Sequence, residues 1–320
     1  MKKVRYFLEA LLVRGMARFL PLLPRHGLLS LARLTGTLAW LADAAGRATA
    51  MENLRVAFRN ELNTAERRRI VHKCYQNFAR TFLDLFWLAR LTDDNWRDFV
   101  TCEDLDPERL KEDIAAGAIW VTAHFGNFEL SSTAWGFRGM KMVTVAQDFK
   151  NPALTPIFQN ARSTAGHVLI PQQGAMIRLM KTLGRGGYVA LLSDLNLPPG
   201  RAATVINCFG LKTCVTTLHT MLARRLGCSV IPSVCFPRED GSYILKTYPP
   251  VRPVSEDDVH AATQQVWDIF EADIRRQPEL WMWMYKHWRY LPGEEQDPDY
   301  PDYANPSAPF RKLAAARSVE

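Results

Sequence analysis

Beyond residue 117 the chain alternates between short apolar or β-branched runs and stretches with the spacing of helices, and this alternation limits the fold more than any other feature. The runs are "AIWVTAH", "KMVTVAQ", "HVLIP", "GYVALLSD", "CSVIPSVCF" and "SYILKTY". Several are separated by segments long enough for a helical crossover, which parallel strands need and hairpins do not. The pattern predicts an α/β domain with a largely parallel central sheet flanked by helices. "GRGG", Gly184 to Gly187, falls between a helix pattern and a strand, where glycine ends the helix, and it lacks the Lys-Ser/Thr of a phosphate loop.

The first hundred residues read as helical. Lys2, Lys3, Arg5, Arg14, Arg18, Arg25 and Arg33 are interleaved with "YFLEALLV", "FLPLL" and "LLSLARLTGTLAWLA". Long apolar stretches with positive interruptions suit a segment lying among lipid headgroups better than an RNA-binding arm. Arg14 and Arg18 interrupt the roughly 20 apolar residues that a spanning helix wants, and no small-residue cleavage site follows. Ordinary core helices with solvated basic faces are the other reading of this region. In "TAERRRIVHKCYQNFARTFLDLFWLARLT", Thr64 followed by Glu66 and basic residues marks a helix start.

These patterns divide the chain into apolar, basic helices over 1–50 that associate with a membrane, an α/β domain over 51–291, and a tail over 292–320. Ser255 is the expected N-cap of a long helix before that tail. The tail is rich in Pro, Asp and Glu and is expected to be unstructured. The net charge of +7 suits an anionic partner, and because the basic residues sit amid aliphatic runs, a membrane surface fits better than nucleic acid. The six cysteines form no CxxC pair and no zinc spacing, so a reduced, cytosol-facing environment with structural cysteines is the simpler expectation.

Chemistry is concentrated in "VTAHFGNFEL", Val121 to Leu130. His124 falls at the carboxyl end of a predicted strand, where open α/β sheets place their ligands. Gly126 permits a tight turn, and a helix begins with "NFELSSTAW". Along one continuous helix, positions five apart diverge by about 140°. A strand, turn and first helical turn can instead bring His124 and Glu129 together, with the carboxylate accepting one imidazole proton and the other nitrogen left as a base. The adjacent helix N-terminus can favour a developing oxyanion. Polar punctuation between a strand and a helix is the competing reading. Asn127 donates within the turn, in a structural or a catalytic role. There is no G-x-S-x-G, no H-E-x-x-H and no dinucleotide-binding glycine motif, so covalent serine and zinc hydrolysis have no motif here.

"HFGNFE" resembles the His-x4-Glu/Asp signature of the bacterial lipid A biosynthesis acyltransferases, the late lauroyl and myristoyl transferases of the lysophospholipid acyltransferase-like superfamily, and of their phosphatidylinositol mannoside relatives. The similarity runs from about residue 5 to 290: "MENLRVAF", "KNPAL" with "ARSTAG", "YVALLSDLN", "CFGLKT" and "QPELWMWMYKHWRY" resemble family segments in the family's order. The resemblance implies a glycerolipid acyltransferase-like fold and transfer of a fatty acyl chain from a thioester to a lipid hydroxyl at the cytoplasmic face of the bacterial inner membrane. The implied donor is acyl carrier protein, or coenzyme A, and no metal or other cofactor is implied. The implied acceptor is a lipid A precursor or related glycolipid. A lysophospholipid acceptor, and a lipid-binding homologue without turnover, remain the alternatives.

By the same resemblance His124 is the general base and Glu129 holds its imidazole. Arg162 meets the anionic acceptor or orients Glu129, and Asp194 orients Arg162 or another site group. The aromatic run Trp281, Trp283, Tyr285 and Trp288 reads as core and rim packing in preference to a membrane-interface belt. "MIRLMKTL" reads as an amphipathic helix with a basic face.

Overall fold

The computed structural model describes residues 2–103, 106–147, 149–200, 202–255 and 257–316. Four helices come first: α1 (Lys2–Phe19), α2 (Arg25–Ala42), α3 (Ala44–Phe58) and α4 (Thr64–Trp87). Helix α4 starts on a capping box, in which Asn63 Oδ1 accepts the Ala65 and Glu66 N–H groups while Glu66 Oε2 accepts the Asn63 N–H. Helices α2 and α4 approach so closely that a Cβ on Gly36 would collide with the Gln76 backbone. On the outer side, Val4, Phe7, Leu8, Leu11 and Leu12 of α1 are each more than half exposed, as are Leu34, Leu38 and Leu41 of α2. Among the described residues no helix is long and apolar enough to cross a membrane.

The alternating region follows as β1 (Val100–Glu103), α5 (Pro107–Ile114), β2 (Ala118–Thr122), α6 (Phe128–Phe137), β3 (Met142–Ala146), α7 (Thr155–Arg162), β4 (Val168–Pro171), α8 (Ala175–Leu183) and β5 (Tyr188–Leu192). Next come β6 (Ala203–Cys208), β7 (Leu211–Thr216), α9 (Leu218–Leu226), β8 (Ser229–Pro237), β9 (Tyr243–Thr247) and α10 (Asp258–Arg276). A seven-stranded sheet runs in the order β1-β9-β8-β2-β5-β3-β4, parallel at every pairing except β8 with β9. The six strand runs of the sequence fall on β2, β3, β4, β5, β8 and β9. Strand β2 is buried on both faces: Ile119 and Val121 enter one core cluster, Ala118 and Trp120 the other, as expected of a parallel strand covered by helices on both sides.

The hairpin β6–β7 was not legible as strands. It turns on Phe209 and Gly210, whose φ values of 52° and 81° give the twist that a two-residue hairpin favours. Helix α10 begins three residues after the expected cap, but Ser255 still serves its start: its Oγ accepts the Asp258 N–H, and the Asp258 carboxylate accepts the Val254 and Ser255 N–H groups.

Two expected boundaries move. Residue 50 lies inside α3, whose Ala50, Leu54, Val56, Ala57 and Phe58 share one hydrophobic cluster with the sheet, while Val13 of α1 and Leu28 and Ala32 of α2 join the cluster on the other face. The tail from 292 was expected to be unstructured. Up to 316 it instead carries β11 (Asn305–Pro306), paired with β10 (Tyr290–Leu291), and α11 (Ala308–Ala316). Its polar composition hides three anchors, since Tyr300, Ala304 and Phe310 are buried against the body of the protein. Burying one phenylalanine is worth roughly 1.5–3 kcal/mol, enough to offset the ordering of a residue or two. Residues 317–320 of that expected tail lie outside the described residues.

Candidate active site

The parallel register of β2 and β5 builds the centre of the site. Thr122 pairs with Leu192, and the Ser193 N–H continues the ladder to the Thr122 carbonyl at 3.1 Å. Two residues beyond that pair, the chains present His124 and Asp194 side by side. His124 Nδ1 lies 2.8 Å from Asp194 Oδ1, and the His124 backbone N–H donates to Asp194 Oδ2 at 2.9 Å. The Trp281 indole N–H donates to the same Oδ2 at 2.9 Å. With its side chain wholly buried, Asp194 thus has both oxygens engaged.

These contacts set the charges. Burial by itself would raise Asp194, but His124 and the Trp281 N–H outweigh it and hold the carboxyl down to about 2. Burial would lower His124, yet the Asp194 charge and hydrogen bond, with a further contribution from Glu129, bring it above the ordinary histidine value. With Nδ1 on a carboxylate, the neutral ring carries its proton there and Nε2 is the basic nitrogen. Among the described residues Nε2 has no hydrogen-bond partner.

The turn after His124 is fastened on every side. Gly126, at φ 58°, is pressed so closely against Cys235 that a Cβ would meet the Cys235 carbonyl. Its N–H donates to the Leu280 carbonyl at 2.9 Å, and its own carbonyl accepts from Thr81 Oγ1 at 3.1 Å. Met282 N–H reaches the His124 carbonyl at 3.2 Å. Asn127 is the N-cap of α6, its Oδ1 accepting the Leu130 N–H at 2.9 Å. Its Nδ2 turns inward to Asp84 Oδ2 at 2.9 Å and to the Tyr243 hydroxyl at 3.1 Å. Asp84, buried in α4, is also bonded by Arg25 and by the Tyr243 hydroxyl, with Arg80 3.8 Å away. Within the turn Asn127 thus accepts where donation was expected, and it donates instead to α4 and β9 from a buried position, 1% exposed.

Glu129 stands in the first turn of α6, but it does not hold the imidazole as expected. Asp194 occupies that position, and Glu129 is gripped by Arg162 at the end of α7, Nε to Oε2 at 3.0 Å and Nη2 to Oε1 at 2.6 Å. The forked ion pair is mostly covered, with side-chain exposures of 31% and 13%. Of the two roles foreseen for Arg162, the structure has the contact to Glu129. Asp194 orients His124, not Arg162.

His124, Glu129 and Arg162 border a cavity of about 670 Å³, within the ordinary range of ligand sites. Its lining also includes Phe82 and Leu85 of α4, Trp120 of β2, Trp135 of α6, Met142 of β3 and Phe158 of α7. His167 also lines it, with both ring nitrogens occupied: Nδ1 accepts the Met142 N–H at 3.0 Å and Nε2 faces the Ser132 carbonyl at 2.7 Å. Among the described residues no group of three or more His, Cys, Asp and Glu side chains is placed to hold a metal ion.

Trp281, Asp84, Arg25, Arg80 and Tyr243 were not foreseen as supports of the site. The one available signal was Asp84 itself, an acid inside the apolar run "FLDLFWL". Trp281, Trp283 and Trp288 are fully buried, as the packing reading expected.

Fold and site together define an α/β enzyme with a carboxylate-backed histidine lining a largely apolar cavity. The chain belongs to the bacterial lipid A biosynthesis acyltransferase family, whose model matches residues 1–290, and it is an acyltransferase. It is 24% identical to the lipid A biosynthesis lauroyltransferase of Escherichia coli K12 over 246 residues, covering 75% of this chain and 78% of that protein. It is 23% identical to the phosphatidylinositol mannoside acyltransferase of Mycolicibacterium smegmatis over 223 residues, covering 68% and 72%. Against the phosphatidylinositol mannoside acyltransferase of Mycobacterium tuberculosis H37Rv it is 26% identical over 176 residues, 54% of each chain.

Proposed function

We propose that this protein moves a fatty acyl chain from the thioester of acyl carrier protein to a hydroxyl of a lipid A precursor or a related glycolipid, at the cytoplasmic face of the bacterial inner membrane. The observation that carries the reading is His124, backed at Nδ1 by a buried aspartate and lining, with Glu129 and Arg162, a cavity whose walls are largely apolar. The acyl chain lies in that cavity, between aromatic and aliphatic walls that take its methylenes out of water. The thioester carbonyl sits beside His124.

His124 Nε2 takes the proton of the acceptor hydroxyl as its oxygen attacks the thioester carbon. Asp194 stabilises the imidazolium that forms. When the tetrahedral intermediate collapses, the C–S bond breaks and the imidazolium proton passes to the leaving thiolate, which restores neutral His124. No covalent acyl-enzyme is needed. Arg162 and Glu129 line the cavity as an ion pair, where the arginine also offers positive charge to a phosphorylated acceptor. The exposed apolar residues of α1, with Lys2, Lys3, Arg5, Arg14 and Arg18 around them, suit a helix lying in an anionic lipid surface, which delivers the acceptor without a spanning segment.

A glycolipid acceptor is preferred to a lysophospholipid because the similar proteins named above act, by their names, on lipid A and on a phosphatidylinositol mannoside. The test is lipid mass spectrometry of a strain lacking the gene and complemented with wild type or His124→Ala. A lipid lighter by one acyl chain, restored by wild type and not by His124→Ala, is the expected result. An unchanged lipidome, or full rescue by the variant, would sink the proposal.

A further inference from the structure

The chain after Leu291 lies beyond the family match, which ends at residue 290, yet it grips the segment that orients Asp194. The Tyr303 hydroxyl accepts the Trp288 N–H at 3.4 Å and donates to Asn53 Oδ1. Asn53, fully buried in α3, gives its two amide protons to the carbonyls of Trp283 and Tyr285, each at 2.7 Å. That segment in turn reaches the site twice. The Trp281 indole bonds Asp194, and the Tyr285 hydroxyl donates to the Asn196 carbonyl at 2.9 Å, two residues beyond Asp194. The tail holds its own position through Asn305 N–H to the Arg289 carbonyl at 2.9 Å, and through the Tyr300 hydroxyl on the Lys212 backbone.

We propose that Tyr303 is a positioning residue for the acid–base pair: its hydroxyl selects the orientation of the Asn53 amide, which fixes residues 281–288 and so holds Asp194 against His124. The physical reason is the asymmetry of an amide. Asn53 serves two carbonyls only with its NH2 turned toward them, which leaves a buried oxygen that needs a donor. Tyr303 is that donor. Without it, the oxygen is a buried acceptor with no partner, and the amide loses what distinguishes its correct orientation from a flipped one.

The inference rests on the reading of His124 as the base, and its test separates the two. Histidine-labelled full-length protein is titrated by NMR, with the His124 signal assigned by its loss in His124→Ala. The charged and titratable groups facing the ring are Asp194, with His287 buried beside it, and Glu129, paired with Arg162. In Tyr303→Phe, Asp194 disengages in part, so His124 titrates at lower pH than in wild type. The same variant is expected to lose about tenfold in kcat, with the KM for the acyl thioester unchanged. Arg311→Ala, which breaks only the tail's surface pair with Glu294, moves neither. A Tyr303→Phe protein whose His124 titrates as in wild type would overturn the proposal. If wild type transfers no acyl chain from any donor, the transferase reading fails, and the titration still decides the role of Tyr303.

Discussion

Two carboxylates flank His124, and they are held in opposite ways. Asp194 is wholly buried, bonded by the imidazole, a backbone N–H and an indole, with no arginine or lysine among those partners. Glu129 sits on the cavity side, partly exposed, in a fork with Arg162. A buried carboxylate without a cationic side chain on it keeps its full charge for the imidazole, whereas one already paired with arginine has most of its charge compensated. Asp194 is therefore the stronger influence on the charge of His124, with Glu129 a smaller one, and Glu129 with Arg162 lines the cavity as an ion pair.

The sharpest way to break this contrast is Asp194→Asn. It keeps the shape and removes the charge, and a loss of about 10³-fold in kcat is expected. The pH profile supplies the sign. Because Asp194 raises His124, the wild-type acid limb of kcat/KM is expected above the ordinary histidine value, and in Asp194→Asn it is expected to move to lower pH. The aspartate also contributes stability. Held down to about 2, it stabilises the fold fully above the ordinary carboxylate range of about 4, and that contribution is lost as pH falls toward 2. Thermal melts across that window are expected to show the loss in wild type and its absence in Asp194→Asn.

On the other side, Glu129→Gln is expected to cost about 10- to 100-fold, with a smaller displacement of the acid limb. Either Glu129→Gln or Arg162→Gln breaks the fork, so the double variant is expected to lose little more than the worse single one, which a double-mutant cycle measures. Additive losses would mean that the two side chains act separately and that the pair is not one unit. The smallest effect on chemistry is expected far from both carboxylates. Leu8→Glu with Leu12→Glu on α1 is expected to weaken binding to anionic vesicles and to leave turnover of a detergent-dispersed acceptor within about twofold. A large loss in detergent would tie α1 to the site itself.

Much of this was legible in the chain. Six strand runs, the strand-end position of His124, the Gly126 turn and the first-turn Glu129 all depend on local patterns that side-chain spacing encodes directly. Arg162 and Asp194 came from the resemblance, and the structure places Arg162 on Glu129 and Asp194 on His124. The partners were exchanged because spacing along the chain identifies neighbours in sequence, and Asp194 is 70 positions from His124. Polar composition likewise concealed the anchors Tyr300 and Phe310 in the tail.

The sequence by itself determined six strands of the central sheet, their order along the chain and the chemical groups available at the strand ends, because these follow from periodicity and residue type. Which carboxylate serves the imidazole was decided only by tertiary structure. The register of two parallel strands, Thr122 opposite Leu192, carries His124 and Asp194 out of the sheet together, while the axis of α6 turns Glu129 toward α7. Hydrogen bonds and charge act over a few ångströms, and those distances exist only once the sheet has formed.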